Sequence, residues 1–374
     1  MKIFLFRKQK LSYFIVVLGL AFWTFFLIIK EFSSAHLYFR YGKSYRNSNA
    51  NKNQSATQTE MTLQPRNVRS SNKTTTLGEF LPETASGFTT MDDFLKEPVL
   101  NSEFQINNCL SGKNRQAGKN ISWSMIIFIK SATDNRIRRD WIRKAWGSIG
   151  YLDGATFQTV FVIGQADATT QALLDEEYSR YRDILQVDAS DAYLDVGLKT
   201  LSGMRWTLDK LPHQYFYSSG DDDMMIDLVK LKEAVDKNIA KVSEKKWPEF
   251  PIICTYKTKL FGRPIREKKH KNYISRQDYR RMLWPKYCLG GFYTTSVRVI
   301  RQLWEASLNS KRINTDDVFI TGILREKIGM PAAMVVPGIR HTCQHMGGFN
   351  ADKFNELWSN LSKKLKKRNI CFNP

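Results

Sequence analysis

Tyr215 to Asp227 reads YFYSSGDDDMMID. Aromatic and small residues run into a glycine, three carboxylates follow without a break, and apolar side chains resume at once. Neighbouring acids repel, so a folded chain keeps three beside a core segment only where something offsets their charge. On extended backbone, side chains two apart point the same way, which puts Asp221 and Asp223 on one face and Asp222 on the other.

Two readings fit the triplet. Gly-Asp-Asp is ordinary turn chemistry, so one is a solvated turn. The other is a divalent-cation site: hard cations accept oxygen ligands and often take one or two carboxylates, with water and substrate phosphates completing the shell. A metal-diphosphate complex would then offset the acids. The position directly behind an apolar strand favours the site.

The surrounding segments set that strand in a sheet. From Ser122, WSMIIFIKS suits a buried strand and DNRIRRDWIRKAWG a helix. TFQTVFVIG gives a second strand ending at Gly164, TTQALLDEEYSRY a helix, and DILQVD a third strand. VGLKTLSGMRWTLDKL has apolar residues at helical spacing, and YFYSSG is the fourth strand. Alternating strands and helices mark an α/β fold with crossover helices, in which ligands bind beyond the carboxyl ends of the strands. Asp221 to Asp223 lie at such an end. Further on come the basic, aromatic-punctuated run REKKHKNYISRQDYRRMLWPKY, then GGFYTTSVRVIRQLWEAS as strand or turn and helix, and TDDVFITGILREKIGM as a loop opening a helix.

The N-terminal third differs. Leu11 to Ile29 is an uncharged apolar run of 19 residues behind Lys2, Arg7, Lys8 and Lys10. As a helix it would reach roughly 28 Å, close to the hydrocarbon thickness. A cleaved signal peptide, with Ser33 and Ala35 as its small residues, is the rival; the run exceeds the usual length of such an apolar segment. The expected organisation is a cytoplasmic tail at 1–10, a transmembrane signal anchor at 11–30, a largely disordered lumenal stem at 31–110 rich in Ser, Thr, Asn and Gln, and a lumenal catalytic domain at 111–374. Sequons at Asn53, Asn72, Asn120 and Asn360 agree with a lumenal body. Five cysteines lack metal-like spacing, so two disulfides and one thiol are expected. A net charge of +21 permits acidic partners, but the anchor and sequons argue against nucleic acid.

These segments resemble the β-1,3-glycosyltransferases of the secretory pathway, glycosyltransferase family 31. RRDWIRKAWG is similar to that family's R-x-x-I-R-x-T-W, with Arg139, Ile142, Arg143 and Trp146 in register. DILQVDASDAYLDVGLKTLSGMRW is similar to D-I-I-Q-x-D-F-x-D-S-Y-x-N-L-T-L-K-T-L-x-x-x-x-W. The acids fall on its D-D-D, YCLGGFYTTS resembles Y-C-x-G-x-G-Y-x-x-S, and TDDVFITG resembles E-D-V-x-x-G. The resemblance runs from about Ser122 to Trp358. Ala145 stands for the family's Thr, Gly220 precedes the acids, Phe292 replaces the second glycine of G-x-G-Y, and a cysteine before the D-D-D strand is absent.

The resemblance implies a GT-A-like, Rossmann-like mixed sheet flanked by helices that uses Mn²⁺. By it, Asp221 and Asp222 would hold the ribose and nucleotide side and Asp223 the metal. His345 would be a second metal ligand, with His341 in reserve. Asp317 would be the general base, and Asp316 would position it or the acceptor; as a bland alternative both cap the helix that follows. Arg139, Arg143 and Lys199 would meet the diphosphate, although helix-surface cations are the commoner fate. Trp284 is a candidate on the acceptor side, whereas Trp146 and Trp206 are expected in the core. Cys288 and Cys343 are the expected disulfide, by rough position in the family.

The function implied is inverting transfer of a hexose from a UDP-sugar to a glycan hydroxyl in the Golgi, on glycoprotein or glycolipid. UDP-galactose comes first, UDP-N-acetylglucosamine and UDP-N-acetylgalactosamine stay open, and so does a homodimer. The alternative is an inactive, membrane-anchored glycan-binding or scaffold protein of the same fold.

Overall fold

The structure, a computed structural model, describes residues 94–100, 121–255, 262–289, 291–338 and 350–373. The expected anchor, Asn53, Asn72, Asn120, Cys343, His341 and His345 lie outside the described residues. Among the described residues no helix is long and apolar enough to cross a membrane.

Strand β1, Trp123–Lys130, shows how the sequence builds the body. Its side chains alternate between two cores, as period-2 backbone requires. Met125, Ile127 and Ile129 enter one cluster, Ile126 and Phe128 the other. A strand buried on both faces must lie inside a sheet covered on both sides. It pairs in parallel with β3, Ala155–Ile163, and with β5, Phe216–Asp221.

Helices cover the faces as the periodicity predicted. Arg136–Lys144 (α1), Ala168–Tyr181 (α2) and Val196–Lys210 (α3) alternate with the strands, and β4 is Ile184–Gln186. Asp167 caps α2 by accepting from Thr169 and Thr170 amides at 2.9 Å. Beyond β5 come α4 (Leu228–Ser243), β6 (Ile252–Cys254), β7 (Phe292–Ser296) and α5 (Val297–Leu308). β7 returns antiparallel between β5 and β6. Strand β8, Val335–Pro337, pairs with β6, and helix α6 is Ala351–Leu365. The result is a mixed α/β sheet with flanking helices.

A hairpin at the far edge was not expected. Ile149–Leu152 (β2) turns back antiparallel onto β3 through Asp153 and Gly154, both at positive φ (45° and 91°), and on its other side meets β9, Ile370–Phe372. Residues 94–100 also extend the body: the Leu95 amide donates to the Gln186 carbonyl (2.9 Å) and Trp206 Nε1 to Glu97 (2.9 Å). Part of the expected stem therefore packs on the domain.

The disulfide is a correction. Cys288 bonds Cys254, with Cα atoms 5.3 Å apart, not Cys343. Cys254 closes β6, and Cys288 comes four residues before β7, the strand that pairs with β6 and brings the two sulfurs together. Cys371 is disulfide-bonded as well.

Candidate active site

The carboxyl ends of β1 and β5 lie side by side, Lys130 opposite Asp221 in the parallel register. The chain then turns: the Met224 amide donates back to the Asp221 carbonyl at 3.2 Å. The triplet is thus a turn, as the bland reading held. It is not a solvated one, because Asp222 is only 5% exposed.

The protein supplies much of the opposing charge. Lys130 Nζ sits 3.1 Å from Asp221 and 2.9 Å from Asp316 Oδ2. Asp222 accepts from Ser131 Oγ (2.7 Å), Asn135 Nδ2 (3.0 Å) and Arg138 (3.0 Å), groups of the loop after β1 and the first turn of α1. The expectation that a metal and phosphates must neutralise the triplet gives way to this finding: lysine and arginine face two of the three acids.

Lys130 is the pivot. Burial alone would favour the neutral amine, but the charges of Asp221 and Asp316 overcome it and hold the pKa above the ordinary lysine value. Thr200 Oγ1, on α3, donates to the same Asp316 oxygen at 2.9 Å. Asp316 Oδ1 is buried and has no hydrogen-bond partner among the described residues. It faces Gly197, in the first turn of α3, where an added Cβ would lie 3.6 Å away. Beneath, burial raises the Tyr217 hydroxyl pKa; Lys130 opposes that shift and the Asp316 charge adds to it.

Asp317 follows on a short helical turn, Asp316–Val318, that continues as a π-helical segment, Phe319–Leu324. Its Oδ1 accepts from the Val318 amide at 2.8 Å, and its carbonyl accepts from Thr321 Oγ1 at 2.6 Å. Thr321 in turn receives the Cys288 amide at 2.9 Å. Burial, and then the Asp317 charge, push the Tyr287 hydroxyl up to about 12.

Asp191 fixes the loops around this site. Its carboxylate accepts from the amides of Thr133 and Gly164, each at 2.8 Å, and pairs with Lys199 at 2.5 Å. The ends of β1 and β3 and the start of α3 are thereby held by one side chain. A Cβ at Gly164 would meet the Ala189 carbonyl at 2.7 Å, so glycine is required there.

Three expected site residues are placed differently. Arg139 is fully buried and bound to Glu177, and Arg143 is held by Asp183, Asp140 and Glu177 between the Phe161 and Tyr181 rings. Arg143 ties α1 to α2 and to Asp183 just before β4, while Arg139 ties α1 to α2 and braces the loop after β1 from within, through Ser131, Ala132 and Thr133, with no donor left for a diphosphate. Trp284 is buried against Tyr279, ring centres 4.5 Å apart, and offers no open face to a sugar. Lys199 reaches the strand-end loop, donating to the Ser131 carbonyl at 2.9 Å, with Asp191 as its counter-ion. Trp146 and Trp206 are core residues, as expected; Trp146 Nε1 donates to the Met224 carbonyl at 3.1 Å and braces the chain leaving the triplet. Asn360 is exposed, on α6.

The sequence reading missed Lys130, Ser131, Asn135, Arg138, Thr200 and Asp191. Lys130 had a signal: it is the one charged residue of a strand otherwise apolar or small. Two of the four departures from the family pattern turn out to be partners. Gly220 lies opposite Phe292 across β5 and β7, and a Cβ at 220 would come within 2.7 Å of the Phe292 ring.

The described residues hold no group of three His, Cys, Asp or Glu able to bind a metal ion. With Asp221 and Asp222 facing protein cations, the donor set fits an ion that takes one protein carboxylate and fills its shell from water and phosphates.

The galactosyltransferase family profile matches residues 137–335. A Drosophila melanogaster β-1,3-galactosyltransferase, brn, is 32% identical over 207 residues, covering 55% of this chain and 61% of that protein. The human lactosylceramide 1,3-N-acetyl-β-D-glucosaminyltransferase is 30% identical over 254 residues, 62% of this chain and 65% of its own length. Mouse β-1,3-galactosyltransferase 5 is 29% identical over 197 residues, 52% and 61%. The matches span about three-fifths of these relatives.

Proposed function

The chain belongs to the galactosyltransferase family, and on that premise we propose that it is an inverting, metal-dependent β-1,3-hexosyltransferase of GT-A-like fold. It takes a UDP-sugar, UDP-galactose first, and transfers the hexose to a glycan hydroxyl. A signal anchor at 11–30 holds it in the Golgi membrane with the body in the lumen.

One observation carries this reading. A buried lysine joins the acid at the end of β5 to Asp316, so the two acidic motifs, 95 residues apart by number (316 − 221), form one site. Donor chemistry and acceptor chemistry need such adjacency, because the hydroxyl attacks C1 on the face opposite the leaving diphosphate.

The chain's residues divide the work. Asp221 and Asp222 form the nucleotide side, their orientation set by Lys130 and by Ser131, Asn135 and Arg138. Asp223, with His345, would hold a Mn²⁺ ion, which supplies charge stabilisation to the departing diphosphate. Asp317 takes the proton from the acceptor hydroxyl as its oxygen bonds to C1. Asp316, held by Lys130 and Thr200, positions Asp317 or the acceptor.

The test is a transfer and donor-hydrolysis screen of the full chain across UDP-sugars, with Mn²⁺ and with chelator, beside Asp317→Asn. Loss of a general base is expected to lower kcat by about 10²- to 10⁴-fold with the thermal midpoint unchanged. Full turnover by Asp317→Asn removes the base assignment. An inert wild type on every donor would favour the scaffold reading.

A further inference from the structure

The insert Arg263 to Arg281 carries eight lysines and arginines against two acids, Glu267 and Asp278. The proposed transfer makes no use of it. Such a run usually stays a solvated, self-repelling loop, but this one is built. The Arg266 guanidinium donates to the carbonyls of Ile274, Ser275 and Tyr279, each at 2.7 Å, and to that of Arg281 at 3.1 Å. Ile265 and Tyr273 form a β-bridge, and Tyr279 packs on Trp284. One cation is spent inside to close the loop, and the closed loop displays the others.

Most of the displayed cations lack counter-ions among the described residues. Among the described residues the ion pairs of the insert are Arg281 with Glu326 and Asp278 with Lys311. Lys268, Lys269, Lys271, Arg276 and Arg280 are exposed with no acidic partner there. Arg276 and Arg280, with Gln277, line an open surface depression of about 390 Å³.

The insert also sits on the Asp316 side of the site. Asp278 pairs with Lys311 at 2.7 Å and the Tyr273 carbonyl accepts from Asn314 at 3.3 Å, both on the segment leading into Asp316. Asn272 accepts from the Tyr193 hydroxyl at 3.4 Å, and Lys271 Nζ lies 5.0 Å from the centre of that ring. Tyr193, 56% exposed, opens the turn before α3, the helix whose Gly197 faces Asp316. An exposed ring and several unmatched cations therefore flank the acceptor side, which is the chemistry that receives a sugar bearing negative charge.

We propose that this insert selects an acceptor glycan carrying an anionic group, a uronate carboxylate or a sulfate ester. This rests on the transferase reading above. Each exposed contact contributes little, several together discriminate, and salt screens them.

The experiment compares the full chain with Lys268→Ala/Lys269→Ala/Lys271→Ala and with Arg276→Ala/Arg280→Ala. Acceptors are p-nitrophenyl β-galactoside, its 6-sulfate, and p-nitrophenyl β-glucuronide. Hydrolysis of the UDP-sugar without acceptor is the control. The wild type is expected to prefer the sulfate or the glucuronide, and which one it prefers identifies the anion. Removing three cations raises the KM for that acceptor about tenfold, leaves the neutral KM and donor hydrolysis unchanged, and reproduces the effect of high salt. Equal KM for neutral and anionic acceptors in the wild type overturns the proposal, as do variants that leave the anionic KM untouched. Variants that instead lose binding to phosphatidylserine-doped vesicles assign the patch to a membrane surface and overturn it too. A wild type without donor hydrolysis defeats the transferase reading itself, which the control separates from a failure of acceptor choice.

Discussion

Arg139, fully buried, and Lys130, with a side chain 12% exposed, are both cations held by carboxylates, and on the proposed reading only Lys130 belongs to a site. All five N–H donors of Arg139 are used, on Glu177, Ser131, Ala132 and Thr133. Nothing is left over for a ligand, and the pair joins two helices. Lys130, at the end of β1, instead holds two carboxylates, Asp221 at the end of β5 and Asp316 on its short helical turn, and Asp316 keeps a buried oxygen without a partner among the described residues. A saturated ion network is structure; on the proposed reading, one that leaves its carboxylates partly exposed at the end of the sheet is a place for substrate. Residue type did not separate the two, and saturation does.

The comparison is broken most sharply at Arg139. Arg139→Met removes two charged hydrogen bonds from Glu177, which is 1% exposed, and leaves it with Arg143 alone (2.7 Å), so it is expected to cost about 1.5–3 kcal/mol in chemical denaturation. Adding Glu177→Leu should recover most of that loss. A neutral single variant would show the pair to be dispensable. The same pair shapes the acid limb: burial opposes ionisation of Glu177, but Arg139 and then Arg143 prevail and lower its pKa below 4.5. Its stabilising contribution is therefore present above that value and lost as pH falls through the folded pKa.

Lys130→Met sharpens the contrast from the other side. Transfer is expected to fall about 100-fold, with a smaller loss of stability than at Arg139, because Asp221 and Asp316 retain access to water, at 27% and 12% side-chain exposure. Equal destabilisation by the two variants, with catalysis spared in both, would erase the distinction. The smallest effect is at Gly220→Ala, where overpacking against Phe292 is expected to cost about 1–3 kcal/mol. Phe292→Leu beside it should give back part of that cost, a coupling that a double-mutant cycle reads directly.

The sequence made the elements legible because burial patterns are local. The alternation in WSMIIFIK already divides the chain between two cores, and the acids after YFYSSG fall at the strand end where such sheets bind ligands. Pairings between distant residues were not legible. Arg139 looks identical as a diphosphate ligand and as the partner of Glu177, 38 residues away, until the helices pack. Cys288 finds Cys254 because β7 returns beside β6, an antiparallel step that cysteine spacing does not encode. The β2 hairpin was readable and missed: Asp-Gly between apolar runs is a strong two-residue turn signal.

The bond between Cys254 and Cys288 has one more consequence. Its ends are 34 positions apart, and the basic insert lies wholly between them. Closing a loop of that length removes about 4 kcal/mol of chain freedom from the unfolded state. The strands are held by their own ladders, whereas the insert rests on its internal hydrogen bonds and on side-chain contacts to Lys311, Asn314 and Glu326, so the tether bears on the insert more than on the sheet. Protein made where thiols stay reduced should therefore keep its turnover of the bare donor and lose its discrimination among acceptors. Oxidation state would act on selectivity first and on folding second.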